Sequence, residues 1–138
     1  MADQAYHIEI ITPESVVFSG DVDTVEIPGE AGEFQVLGDH TPFLTGVKSG
    51  PVYISIAGSK TIVSVSGGFC EVLSEKTVIL AQAAELADDI DTERAGAARK
   101  RAEERLESNA DDIDTDRAKA ALARAMNRLN VAEMLEEA

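Results

Sequence analysis

An all-β domain followed by an all-α domain is the fold class this sequence predicts: a β-sandwich or flattened barrel over residues 1–84, then an antiparallel two-helix hairpin over residues 85–138. Three observations predict it. Up to about Ala83, apolar residues recur with the period of two that strands require, interrupted by glycine and proline. Beyond Gly68 those breakers vanish except for Gly96, and the composition turns to Ala, Glu, Asp, Arg and Leu. Finally, Asp88-Asp89-Ile90-Asp91-Thr92-Glu93-Arg94-Ala95 returns 23 residues later as Asp111-Asp112-Ile113-Asp114-Thr115-Asp116-Arg117-Ala118.

The strand-like runs are Tyr6 to Ile11, Val16 to Ser19, Val22 to Ile27, Glu33 to Leu37, Phe43 to Val47, Val52 to Ile56, Thr61 to Ser66, Phe69 to Leu73 and Thr77 to Ala81. Turn signals separate them: Pro13, Gly20, Pro28-Gly29, Gly38-Asp39, Gly50-Pro51, Gly67-Gly68 and Ser74-Glu75-Lys76. Ala57-Gly58-Ser59-Lys60, between two alternating runs, is a hairpin signal. About nine short strands of this kind predict a sandwich or barrel.

In the second part, Asp91 and Asp114 are placed to cap helices, and acidic residues in each first turn complement the macrodipole. Ala95, Ala98, Ala102 and Leu106 form one narrow apolar stripe. Ala118, Ala121, Leu122, Ala125, Leu129 and Ala132 form the other. The link Ser108-Asn109-Ala110-Asp111-Asp112 is short and polar, so the helices fold back on each other. Alanine buries little area, and at ~25 cal/mol per Å² such a seam holds a hairpin only marginally against its ordering entropy. A stable β platform carrying a conditional helical arm is the expectation.

The arginines repeat with the motif. Arg94, Arg101 and Arg105 share their offsets with Arg117, Arg124 and Arg128. At about 100° per residue each trio collapses onto a stripe about 40° wide, roughly 85° from the apolar seam. From Arg117 to Ala132 the chain holds Arg117, Lys119, Arg124 and Arg128 and no acid. Guanidinium forks match phosphate oxygens, so two stripes meeting on one groove edge suit a polyphosphate. The plainer reading is a solvated face balanced by Glu103, Glu104 and Glu107, with the aspartates acting only as caps.

The net charge of -14 opposes non-specific binding to nucleic acid or anionic lipid, so any anion site has to be local. With 44% apolar residues the chain has enough to bury a core. The lone Cys70 lies in an alternating apolar run and reads as a buried thiol of a reducing compartment. His7 and His40 stand apart from Cys70, and no metal-ligand spacing, Ser/His/Asp arrangement or phosphate-cradling glycine loop is visible. Apolar runs stay far below the ~18 residues that cross a bilayer, and Met1 to Gln4 show no targeting pattern. The chain therefore reads as soluble and non-enzymatic, reaching a membrane only through partners.

A β-rich first half followed by an Ala/Arg hairpin bearing Ile-Asp-x-x-Arg-Ala resembles the epsilon subunits of bacterial-type F-type ATP synthases over essentially the whole chain. Ile11-Thr12-Pro13-Glu14 with Val17-Phe18-Ser19-Gly20 looks like the opening strands of that family. Gly32-Glu33-Phe34 through Gly38-Asp39-His40-Thr41-Pro42-Phe43-Leu44 looks like its loop facing the rotor ring. Ser66-Gly67-Gly68-Phe69 and Thr77-Val78-Ile79-Leu80-Ala81 resemble the end of its sandwich. The resemblance implies a non-catalytic central-stalk subunit, peripheral on the cytoplasmic face of a bacterial plasma membrane. It would join the gamma subunit to the ring of c subunits in a proton-translocating machine. The extended arm would meet acidic loops of the catalytic β subunits and restrain ATP hydrolysis. In some members the folded arm binds ATP, and the matching positions are Glu85, Ile90, Asp91, Arg94, Ala95, Arg101, Arg124 and Arg128, with no metal required. Two other classes compete: a free-standing ATP- or anion-sensing module with no rotary partner, and a scaffold whose hairpin only packs on another protein.

Overall fold

The structure, a computed structural model, describes residues 5–38, 41–108 and 114–137. Asp39 and His40, in the loop expected to face a ring, and the Asp111–Ile113 stretch of the second repeat lie outside the described residues. The chain forms two compact units, Met1–Leu86 and Ala87–Ala138.

The first unit is built of β1 (Tyr6–Ile11), β2 (Val16–Val22), β3 (Thr24–Gly29), β4 (Gly32–Val36), β5 (Phe43–Ile56), β6 (Ser59–Val72), β7 (Lys76–Ala81) and β8 (Ala84–Leu86). They hydrogen-bond in the order β2-β1-β7-β6-β5-β3-β4, with β8 alongside β6. All pairs are antiparallel except β1 with β7. The sheet bends over on itself, because β1 and β4, far apart in strand order, meet across one core. The Tyr6 hydroxyl donates to the Val36 carbonyl, and Ile8, Ile10, Val25, Ile27, Val52, Ile54, Val63 and Ile79 pack in the same buried cluster. Inward-facing residues alternate with the period of two in β1, β7 and the second half of β5, whereas Ile62 to Val65 of β6 are all buried. Burial raises the Tyr6 phenol well above its usual range and pushes the Cys70 thiol up to about 12.

Eight strands replace the nine expected, because turn signals inside two strands merge four runs into two and β8 is an addition. Gly50-Pro51 sits in the middle of β5 and Gly67-Gly68 in the middle of β6, so each joins two of the shorter runs. The β5–β6 register is unbroken from Ile56 opposite Ser59 to Phe43 opposite Val72. Gly20 and Pro28-Gly29 likewise fall within β2 and β3. Gly29, Gly50 and Gly68 among them mark close approaches. A Cβ on Gly50 would lie 3.0 Å from Pro28, and one on Gly68, whose φ is 143°, would collide with the Leu80 carbonyl. Conversely, the run Val22 to Ile27 splits at Asp23, whose carboxylate accepts from the Ala57 N–H at 2.8 Å. That bond steadies the two-residue turn Ala57-Gly58, where both residues have positive φ, 50° and 86°.

The strand β8 continues the β7 register against β6 after a break at Gln82-Ala83. Gln82 N–H bonds to the Gly67 carbonyl and Ser66 N–H to the Ala83 carbonyl across it. The sheet therefore keeps Ala84, Glu85 and Leu86, past the change in composition near Ala84.

The second unit comprises a 3-10 turn (Ala87–Asp89), α1 (Thr92–Ser108) and α2 (Thr115–Glu137). The helices pack on each other, and the turn packs on α2. The seam is small-residue, as expected. Ala95 and Ala102 are buried from α1, and Ala118, Ala125 and Ala132 from α2, each spaced by seven, while Ala98, Leu106, Ala121, Leu122 and Leu129 are half-buried. Val131 is buried as well although it lies about 140° from that seam. In its C-terminal half α2 thus buries a second face, beyond the single stripe read from the sequence.

Candidate functional site

Both repeats of the acidic motif build the same helix entrance. Asp91 Oδ1 accepts from the Arg94 N–H at 3.0 Å, and its carbonyl accepts from the Ala95 N–H at 3.0 Å. Asp114 makes the same two bonds to Arg117 and Ala118 at the same distances. These satisfy amides that a helix start otherwise leaves open. Arg94 and Arg117 then occupy equivalent first-turn positions, where a cation opposes the macrodipole by about 0.3–1 kcal/mol. Helix stability does not account for an arginine there twice, whereas an incoming anion would relieve both.

A link of six residues, from Asn109 to Asp114, joins helices that pack together, so α2 runs back beside α1. Each arginine stripe lies at the same angle from its own seam. An antiparallel pair with matched seams is related by a dyad perpendicular to the plane of the two helices, and that operation keeps both stripes on one side. The two stripes thus form a ladder of arginines on one side of the hairpin.

Five of the six stripe arginines have no counter-charge among the described residues. Arg94, Arg101, Arg105, Arg117 and Arg124 are exposed and engage no carboxylate among the described residues, while Arg128 is half-buried and engaged. Acids from Glu93 to Glu133 lie about 80° or more around their helices from the stripes. Glu103, one of the acids expected to balance the face, instead pairs with Arg99 at 2.7 Å. Guanidinium groups of this kind suit anions with several oxygens, for which bidentate, charge-assisted hydrogen bonds supply both strength and geometry.

The other expected ligand positions fall as follows. Ile90 is half-buried, its N–H bonding to the Ala87 carbonyl at 3.3 Å, and Ala95 is buried in the seam. Glu85 belongs to the first unit, half-buried and engaged, in β8 opposite Ser64 of β6.

Two surfaces of the β unit escaped the sequence reading. On the outer face, register lines up Val16, Ile11, Leu80 and Phe69 across β2, β1, β7 and β6, ending at Gly46 of β5. Val16, Leu80 and Phe69 are each more than half exposed, as is Leu44 one position along beside Glu71. Contiguous exposed apolar rows are characteristic of surfaces that meet other proteins. Further down the same face, His7 joins Asp21 through Nδ1 and Ser19 through Nε2, both at 3.2 Å. The Ser/His/Asp grouping is made by strand pairing, invisible in the linear sequence. It stands on open sheet, with Asp21 77% exposed, and acts as a cross-strand tie in competition with water. Among the described residues no three of His, Cys, Asp and Glu gather as a metal site.

Comparison with known proteins gives the same division of the chain. The family described as ATP synthase, Delta/Epsilon chain, beta-sandwich domain matches residues 5–87, and the corresponding long alpha-helix domain matches residues 88–133. The ATP synthase epsilon chain of Desulforamulus reducens is 48% identical over 101 residues, 73% of this chain and 76% of that one. That of Brevibacillus brevis is 49% identical over 100 residues, 72% and 76% of the two chains. In overall fold the chain is similar to one in the mitochondrial ATP synthase OSCP/F1/c-ring assembly of Euglena gracilis, with a TM-score of 0.79 at 20% identity, covering 94% of this chain and 81% of that one. A two-domain match across nearly the whole length, joined to relatives at almost half identity, places the chain in the ATP synthase delta/epsilon family, among its epsilon chains.

Proposed function

We propose that this protein, a non-catalytic subunit of the rotary ATP synthase, joins gamma to the c-subunit ring through its β unit and carries an ATP-responsive brake in its hairpin. The apolar row of Val16, Ile11, Leu80 and Phe69 supports docking on another subunit. No helix among the described residues is long and apolar enough to cross a membrane, and the proposed place is peripheral, on the cytoplasmic face, through the complex. Proton flow through the ring turns the stalk, and the subunit transmits that rotation to the catalytic head.

The observation that carries the regulatory part is the arginine ladder. Phosphate charge between the stripes stabilises the folded hairpin, with Arg94, Arg101, Arg124 and Arg128 as the principal ligands and Ile90, Asp91 and Ala95 completing the site within the helical unit. Without ATP the same guanidinium groups are free for the acidic loops of the catalytic β subunits, and hydrolysis is restrained. The two occupants compete for one basic surface, so ATP shifts the population by its differential affinity for the folded arm. Calorimetric titration of the isolated protein with ATP is the direct test, and no heat at millimolar nucleotide rejects the binding. Removing the residues after Asp88 raises hydrolysis by the assembled enzyme while assembly persists. An unchanged rate counts against the brake.

A further inference from the structure

The apolar row on the outer face of the β unit stops at a glycine, and the space a side chain there would fill is taken by a carboxylate. Gly46 lies opposite Phe69 in the β5–β6 register, and a Cβ built on it would run into the carboxylate of Glu30. The Glu30 N–H, bonded to the Gly46 carbonyl at 3.0 Å, pins that acid in the β3–β4 turn. Cross-strand neighbours stand about 4.5–5.5 Å apart at Cβ, so Phe69 has a carboxylate beside it where the row would otherwise continue. A second acid borders Phe69 from along its own strand. Glu71, two residues on, projects from the same face and is flanked by Val78 of β7 and Leu44 of β5. Glu9, beyond Val78 in the same line, is balanced by Lys76 at 3.6 Å. Glu30 and Glu71 are exposed and join no ion pair among the described residues.

A purely apolar partner resting on Phe69, Leu80 and Leu44 would strip water from both carboxylates with nothing in exchange, whereas a cation arriving with it turns that cost into an attraction. We propose that Glu30 and Glu71 select the partner of this face: the segment that covers Phe69 is apolar and carries Lys or Arg side chains that reach both carboxylates. One acid lies across the sheet from Phe69 and the other along its strand, so together they fix the partner's position in two directions. A second copy of the chain does not meet the demand, because a symmetric contact brings two of the same acidic patches together between molecules of net charge -14. An anionic membrane surface is repelled on the same ground.

The proposal deepens the reading of this row as a surface that docks on another subunit, and it rests on that reading. Binding of the full-length protein to the catalytic head with gamma, assembled without this subunit, tests both when followed by biolayer interferometry over a range of salt. Glu30→Gln/Glu71→Gln is expected to bind about tenfold more weakly or worse, with a shallower salt dependence, and Glu71→Lys about a hundredfold more weakly. Glu26→Gln, the same loss of charge at an exposed site opposite Tyr53, stays within about twofold of the parent. The substituted side chains are exposed, and thermal melting checks that each variant keeps its fold. Parent-like binding by Glu30→Gln/Glu71→Gln, or an equal loss in Glu26→Gln, overturns the selection by charge. Phe69→Glu tells which reading has failed: if it still weakens binding, the docking surface stands without the acids, and if it binds as the parent does, the docking reading has failed as well.

Discussion

Replacing Gly68 by alanine is the most severe single-methyl change the β unit offers, and its size follows from two separable terms. The residue has φ of 143°, a conformation that costs an L-residue about 1–2 kcal/mol. Its added Cβ would also run into the Leu80 carbonyl and the Ala81 Cα, both backbone atoms of β7 that cannot turn aside. Forcing β6 and β7 apart adds about 1–3 kcal/mol, as overpacked sites do, for a total of about 3 kcal/mol or more. Gly67 is the internal control. Its φ is 87°, but the nearest atom to its added Cβ is the Val47 carbonyl at 3.5 Å, so Gly67→Ala bears only the backbone term. Urea unfolding of the two variants separates them. With a slope of about 2 kcal/mol per M, Gly68→Ala lowers the midpoint by about 1.5 M or more and Gly67→Ala by about 0.5–1 M. Equal midpoints would refute the close β6–β7 approach and, with it, the explanation of why two adjacent glycines sit inside a strand.

Ala57→Asn should raise stability by about 0.5–1 kcal/mol, since asparagine tolerates the positive φ of 50° and the Asp23 bond uses only the backbone; calorimetric melting measures it. The Thr77 hydroxyl is buried with no partner among the described residues, so Thr77→Val should stabilise by about 1 kcal/mol while Thr77→Ser, which keeps the orphan and loses a methyl, destabilises. Alkaline stability follows from Cys70 and Tyr6, whose folded-state values are raised. Their contribution is intact below the unfolded pKa values, near pH 9 and 10, and is lost as pH rises toward the folded ones, because the unfolded chain alone releases the protons. Unfolding free energy should drop by about 1.4 kcal/mol per pH unit per group, and Cys70→Val should remove the portion that begins near pH 9. On the outer face, Phe69→Glu should leave stability within about 0.5 kcal/mol, since Phe69 is 61% exposed, yet abolish co-purification with gamma.

How far the fold could be read in advance depends on which physical signal each element carries. The Ala57-Gly58 turn and the two aspartate caps are local chemistry, and the structure forms each with the residues named. Gly50-Pro51 and Gly67-Gly68 carry the same local signal for a different cause, since the need for glycine there comes from a neighbouring strand that only the folded sheet brings close. Alternation along Phe69-Cys70-Glu71-Val72 gives the period but not the side. Cys70 goes inward and Phe69 outward, so the apolar row belongs to pairing rather than to composition. The arginine stripes were visible because they repeat on a helix, where angle follows from count. Their convergence needed only the short link and the matched seams. Val131 was not visible, because the second buried face of α2 depends on tertiary packing that no stripe on the helix encodes.

The one parallel pairing in the sheet has a consequence for biosynthesis. The middle of the sandwich cannot close until β7 has left the ribosome to lie beside β1, the first strand made, so early strands wait with half their hydrogen bonds open to water. Once Ala81 is out, the β unit has all the fully buried residues of its hydrophobic core, and α1 and α2 follow at about 5–20 residues per second. The newborn protein thus has an interval in which its platform is finished and its helices do not yet exist.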